Sequence, residues 1–197
     1  GLVKSLKTGI GCKIETSLME ALLDFQFEVL TTHLNDGKRK PVRSSYNNAH
    51  AYLSAPYGIY KTKDGFIAIA MTPVPALGKL INLKAIEGYV DQKEWFTKRD
   101  EIKKLIGEWL ISEDTKFWLN ILQPSDIWCS EVLEWDQMMK NDGFKVIDML
   151  QRITRSDGLD IQTLRCPIRI DNEIFKSDKA APIVGQDTES IIKEFSL

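Results

Sequence analysis

Four side chains able to bind a small anion crowd one short window: Tyr46, Asn47, Asn48 and His50. Two carboxamides and a titratable ring in a loop can hold and orient a carboxylate or a carbonyl, because Asn offers both donor and acceptor and His can play either role. The same residue types also suit turns in a solvated loop, and composition leaves both readings open. A basic run precedes them: Lys38, Arg39, Lys40 and Arg43. Its charge could attract a ligand's phosphates or simply keep a linker solvated.

The remaining candidates read as structure. Cys129 closes the stretch Ser125-Asp-Ile-Trp-Cys129. A nucleophilic thiolate needs a base or a positive charge beside it, and no histidine is near in sequence, so Cys129 reads as a small buried residue. Thr8-Gly-Ile-Gly11 lacks both the Lys-Ser/Thr of a phosphate loop and the third glycine of a dinucleotide fingerprint, and reads as a helix stop. The three cysteines and two histidines have neither disulfide nor metal spacing. The five tryptophans fall mostly on apolar helix faces and are expected in the core. Chemistry alone assigns no catalytic residue and no metal ligand.

The elements that must position these residues follow from periodicity. Gly1 to Leu6 reads as the tail of a helix that began earlier. Residues 12–16 alternate like a short strand. Ser17 and Glu20 have capping-box spacing, and Leu18, Leu22, Phe25, Val29 and Leu30 share one face of a helix expected to be mostly buried. Residues 35–50 form a polar, linker-like stretch. Tyr57–Tyr60 and Phe66–Ala70 flank Lys63-Asp64-Gly65, the signal of a hairpin whose tight turn favours positive φ, and Pro73 and Pro75 end the second strand. Ile102, Leu105, Ile106, Trp109 and Leu110 recur at helical spacing. A helix from Asp114 buries Phe117, Trp118, Ile121 and Leu122 and stops at Pro124. Another begins after Ser130, uses Val132, Trp135 and Met139, and ends at Asn141-Asp-Gly143. Two strands, 144–151 and 160–170, flank Ser156-Asp157-Gly158, and a last helix capped by Asp187 carries Ile191, Ile192 and Phe195. The fold class is α/β, mixed α and β within this chain, with antiparallel hairpins.

Bulk properties exclude several function classes. A formal net charge of −2 gives no electrostatic case for nucleic acid. No apolar run approaches the roughly 20 residues that cross a bilayer, and the start of the chain lacks a signal-peptide pattern. A reducing cytoplasm is the expected compartment.

Several segments, in order, resemble the class III CoA-transferases, the family of carnitine and bile-acid CoA-transferases and formyl-CoA transferase. They are Thr8-Gly-Ile-Gly11 with Lys13-Ile-Glu-Thr-Ser-Leu18 and Glu20-Ala21, and Ala55-Pro-Tyr-Gly-Ile-Tyr60 with Thr62, Asp64-Gly65 and Ile67–Ala70. Ile127–Val132 follows, with Glu131 where the family commonly has proline. Pro167-Ile-Arg169 and Ala181-Pro-Ile-Val-Gly185 with Asp187-Thr188 complete the set.

The resemblance implies the C-terminal half of the family fold. Residues 1–45 would end a large doubly wound domain and form a linker helix, 46–125 would be a small α/β domain, and 126–197 would return to the large one. It implies transfer of CoA between an acyl-CoA and a carboxylic acid through an aspartyl-CoA thioester, with the aspartate upstream of this chain and none of the present aspartates matching it. CoA would be a substrate, with no covalently bound cofactor. An interlocked homodimer is implied, with Tyr46, Asn47, Asn48 and His50 facing the partner's active site as substrate-binding residues. The alternatives are a 2-methylacyl-CoA racemase of the same fold, using acid/base residues to exchange an α-proton, and a non-catalytic structural half-chain.

Overall fold

The computed structural model describes residues 1–46 and 50–196. The chain divides into two compact units, Gly1–Val132 and Leu133–Leu197.

The first unit opens with helix α1 (Leu2–Thr8), which ends where Gly9 turns left-handed at φ 70°, as the Thr8-Gly-Ile-Gly11 stop predicts. Residues 11–17 carry no strand: the short alternation at 12–16 finds no neighbour to pair with, and an isolated strand leaves its backbone groups to water. Helices α2 (Leu18–Phe25) and α3 (Phe27–Asn35) follow, broken at Gln26. The capping box forms as expected. Glu20 N–H donates to Ser17 Oγ at 3.2 Å, and Ser17 N–H donates to Glu20 Oε2 at 2.8 Å. Neither helix buries any residue, contrary to expectation. Leu18 is 86% and Phe25 89% exposed, because no other described element packs on that face.

The core of the unit lies between a sheet and a helical cluster. Strands β1 (Gly58–Lys61) and β2 (Phe66–Ile69) form the predicted hairpin, and β3 (Cys129–Glu131) adds an antiparallel third strand to β2. Helices α4 (Val74–Leu80), α5 (Lys84–Glu87), α6 (Gln92–Thr97), α7 (Arg99–Leu110) and α8 (Thr115–Leu122) supply the other layer, with a 3-10 turn at Gln123–Ser125. Tyr60, Ile67 and Ile69 from the sheet meet Val74, Leu77, Ile86, Ile102, Ile106, Leu110, Trp118 and Leu122 from the helices, all buried. Pro73 and Pro75 end the strand and also open α4, where a residue without N–H costs nothing.

The Asp64-Gly65 turn departs from its prediction. Neither residue has positive φ; the loop is four residues long and is held by side chains. Asp64 Oδ1 accepts from Thr115 N–H at 2.7 Å and from Thr115 Oγ1 at 2.9 Å. Thr62 Oγ1 lies 2.6 Å from Thr115 Oγ1 and accepts from Gly65 N–H at 3.1 Å. The turn therefore caps α8 from a distance, while Asp114, next to the helix in sequence, makes no side-chain cap. These donated bonds, led by the Thr115 N–H, hold the Asp64 carboxyl below its ordinary pKa.

The tryptophans divide. Trp118 is buried, and its indole N–H donates to Leu110 O at 2.8 Å. Trp128 and Trp135 are 77% and 76% exposed, overturning the expectation of core packing. Cys129–Glu131 is strand rather than the approach to a helix, because β2 has a free edge that pairs with it.

The second unit contains α9 (Trp135–Lys140), α10 (Asp142–Ile147), the hairpin β4 (Leu150–Thr154) with β5 (Asp160–Leu164), a short pair β6 (Arg169–Ile170) with β7 (Glu173–Ile174), and α11 (Thr188–Phe195). The β4–β5 hairpin turns around Ser156-Asp157-Gly158 as predicted, but 144–147 is helix. Asn141 caps that helix by accepting from Gly143 N–H at 2.8 Å. Arg165 is the single buried residue among those described in this unit. Its guanidinium donates to Asp148 O and Ile147 O, each at 2.6 Å, and to Cys166 O. Among the described residues, no helix is long and apolar enough to cross a membrane.

Candidate functional site

The three-stranded sheet has one buried face and one open face. Gly58, Tyr60, Ile67 and Ile69 point into the core. Ile59, Ala68 and Ser130 stand side by side on the other face, as their register requires. Alanine on the central strand leaves a depression between its larger neighbours, and this is the floor of a cleft of about 780 Å³. Tyr57 and Trp128 wall it, and Arg43 and His50 stand at its rim. None of the described lining residues is Asp or Glu.

The hairpin's sequence explains the floor. The Ala55–Pro56 bond is cis, and Tyr60, fully buried, donates its hydroxyl to the Pro56 carbonyl. Burial drives the Tyr60 pKa far up, so the phenol stays a donor. With Gly58 and Tyr60 turned to the core, alternation along β1 leaves Ile59 facing the cleft.

The rim is held by the start of α7. Arg99, 8% exposed, donates one guanidinium NH2 to the Ala51 carbonyl at 2.8 Å and the other to the Val42 carbonyl. It therefore joins both ends of the 42–51 segment. Asp100 receives the inner part of that segment. Ser44 Oγ and Ser45 N–H donate to its Oδ1 at 2.6 and 2.9 Å, and Ser45 Oγ donates to Oδ2 at 2.7 Å. The Ser44 hydroxyl, ahead of Ser45 and the backbone donors, lowers the Asp100 pKa to about 2. In sequence, Arg99 and Asp100 pass for ordinary polar residues of a helix's first turn. The signal that distinguishes them is their place one turn before Lys103 on an otherwise core-facing helix.

Lys103 and Gly107 continue the same stripe. Lys103 is fully buried, and its Nζ has no hydrogen-bond partner among the described residues; burial, then the Arg99 charge, lowers its pKa. Gly107 lies under the ring of Tyr46. A Cβ there would sit 2.7 Å from Tyr46 Oη and 2.9 Å from Cε1.

The predicted site residues therefore separate. Tyr46 is partly buried and packs on α7, anchoring the loop. His50 reaches the cleft rim, where its Nδ1 accepts from Tyr52 N–H at 3.2 Å. With Nδ1 accepting, a neutral ring carries its proton on Nε2 and is a donor there. Asn47 and Asn48 lie outside the described residues. Arg43, the last member of the basic run, shares the rim with His50, an association that the sequence order alone did not disclose. Cys129 also lines the cleft, but burial raises its thiol pKa, which favours the inert thiol. Among the described residues, no cluster of metal-ligating side chains occurs.

The comparisons with known proteins agree with this architecture. A succinate–glutarate CoA-transferase of Agrobacterium fabrum is 24% identical over 203 residues, covering 98% of this chain and 49% of its own. An (R)-2-hydroxy-4-methylpentanoate CoA-transferase of Clostridioides difficile is 24% identical over 200 residues, with the same coverage. The chain thus spans about half the length of these relatives. In fold, a mutant of Rv3272 from Mycobacterium tuberculosis superposes with a TM-score of 0.72 at 19% identity, over 95% of this chain and 49% of that one. A CAIB/BAIF family protein from Brucella suis gives 0.65 at 23% identity, over 98% and 50%. The sequence profile described as CoA-transferase family III matches residues 1–188, and the chain belongs to that family.

Proposed function

We propose that this chain is the C-terminal portion of an enzyme that moves CoA between an acyl-CoA and a carboxylic acid. The observation that carries the reading is the cleft, in which Arg43 and His50 stand over the apolar open face of the sheet in a family III chain. A guanidinium and an imidazole N–H suit a carboxylate, and the apolar floor suits the body of an acid.

The chemistry runs through an aspartyl-CoA thioester. An aspartate attacks the acyl-CoA carbonyl and expels CoA thiolate, leaving a mixed anhydride. The thiolate attacks the aspartyl carbonyl and releases the donor's carboxylate. The incoming acid's carboxylate then attacks the aspartyl thioester and forms a second anhydride. The thiolate collapses this to the new acyl-CoA and free aspartate. With no acidic side chain among the described lining residues, the cleft supplies donors and apolar surface while the nucleophile comes from elsewhere.

In this reading, residues 46–125 form the small α/β domain, and 1–45 and 126–197 belong with the large one. Support for the first boundary comes from α1–α3, which bury nothing; at the second, the core reaches Cys129 and β3 pairs with β2, so the small domain extends through Glu131. The exposed apolar faces of α2 and α3 suit an interlocked homodimer in which the cleft carrying His50 meets the partner's site. The exposed free thiols of Cys12 and Cys166 suit a reducing cytoplasm.

The test is to give the full-length enzyme an acyl-CoA and a panel of carboxylic acids and to follow thioesters by mass spectrometry. A CoA thioester of an added acid is expected. Exchange of the donor's α-proton in D2O with no new thioester would instead support the 2-methylacyl-CoA racemase. Neither product would support the structural half-chain.

A further inference from the structure

We propose that the cleft seats the free acid substrate and selects a bulky, apolar monocarboxylate over a short dicarboxylate; this rests on the CoA-transfer reading above. The charge pattern argues for the free acid. Arg43 is the only permanently charged group among the described lining residues, and no carboxylate among them opposes it. A guanidinium fork matches a carboxylate with two parallel hydrogen bonds. A thioester carbonyl or the uncharged pantetheine arm of CoA would leave that charge unanswered; a CoA phosphate would answer it, but its polar nucleotide would then lie on the apolar floor.

The surface beyond the rim argues for the apolar body. Below Arg43 and His50 the ligand meets Ile59, Ala68 and Ala70, with Trp128 alongside. Ile59 is 52% and Trp128 77% exposed, so both hold apolar area in water that a ligand would cover. A second carboxylate placed there would lose its hydration and find no cation among the described residues, an unfavourable exchange. Ala68 is the specificity position, because its small side chain leaves the space that the body fills.

Equilibrium binding to the full-length protein tests this apart from turnover. The probes are 4-phenylbutanoate, its neutral isostere 4-phenylbutanamide, glutarate, pantetheine and adenosine 3′,5′-bisphosphate, the last two standing for the arm and the phosphates of CoA. We expect 4-phenylbutanoate to bind saturably and about tenfold or more tightly than the amide or glutarate. Arg43→Ala should remove the preference for the acid over the amide. Ala68→Leu, which fills the floor without changing charge, should weaken both phenyl compounds. Arg43 and Ala68 both lie outside the packed core, and unchanged melting curves would show that each variant folds. No saturable binding, equal affinity for glutarate, displacement of 4-phenylbutanoate by pantetheine or by adenosine 3′,5′-bisphosphate, or wild-type binding by both variants would overturn the proposal. Failure of the functional reading shows differently, as binding of the acid with no CoA thioester formed from it.

Discussion

Asp100 illustrates how much of the site's geometry rests on one carboxylate. It takes three short hydrogen bonds from Ser44 and Ser45, and these fix the segment that carries Arg43 into the rim. Replacing it with Asn keeps an acceptor but loses the charge, which should cost about 1–2 kcal/mol at neutral pH. The pH dependence has a definite sign. The folded pKa is depressed to about 2, so the carboxylate's contribution is fully present above about pH 4 and is lost as pH falls toward about 2. Chemical denaturation of wild type and Asp100→Asn across that range should converge at the acid end; a constant gap would count against the anchoring role. Gly107 makes the complementary case. Alanine in a helix interior normally gains up to about 1 kcal/mol over glycine. Here the new methyl would strike the Tyr46 ring at 2.7–2.9 Å, and a rigid ring cannot yield at its tip alone. Gly107→Ala should therefore fail to stabilise and should weaken acid binding by displacing the loop. A higher melting temperature with intact binding would show that Tyr46 is not an anchor.

At the scale of elements, the hairpin and α8 behave as one unit. Gly65 lacks positive φ, so its constraint is space: a Cβ would lie 3.2 Å from Thr115 Oγ1, inside the network that caps α8. Gly65→Val should destabilise by about 1–2 kcal/mol through crowding, and Gly65→Ala by less; equal melting curves for all three proteins would contradict this. Much of this layer was legible in sequence. The 57–70 hairpin, α7 and α8 follow from alternation and helical spacing because their apolar faces meet within the chain. The strand at Cys129–Glu131 was not legible, since three residues carry no periodicity and their state depends on the edge of β2. The rim was legible in part. His50 shows its chemistry in its type, whereas Arg43 shares the cleft with it only because Arg99 and Asp100 fold the segment back. Trp128 and Trp135 are exposed for a related reason: a large apolar side chain declares a surface to be covered, not what covers it.

For the whole molecule, the proposed division of labour is acid recognition in this chain and covalent chemistry on an aspartate elsewhere. The chain spans about half the length of its curated relatives, and its cleft holds no acidic group among the described residues. On that proposal, these 197 residues alone are expected not to transfer CoA. Turnover by the isolated chain well above a heat-killed control would move the nucleophile into it. Whether Arg43 and His50 read the acid is decided by the specificity constant for the acid in the full-length enzyme carrying His50→Ala. The account predicts a fall in kcat/KM of about tenfold or more, near 1.4 kcal/mol of transition-state stabilisation, with the KM for the acyl-CoA donor little changed. A value within about twofold of wild type, under roughly 0.5 kcal/mol, would contradict it.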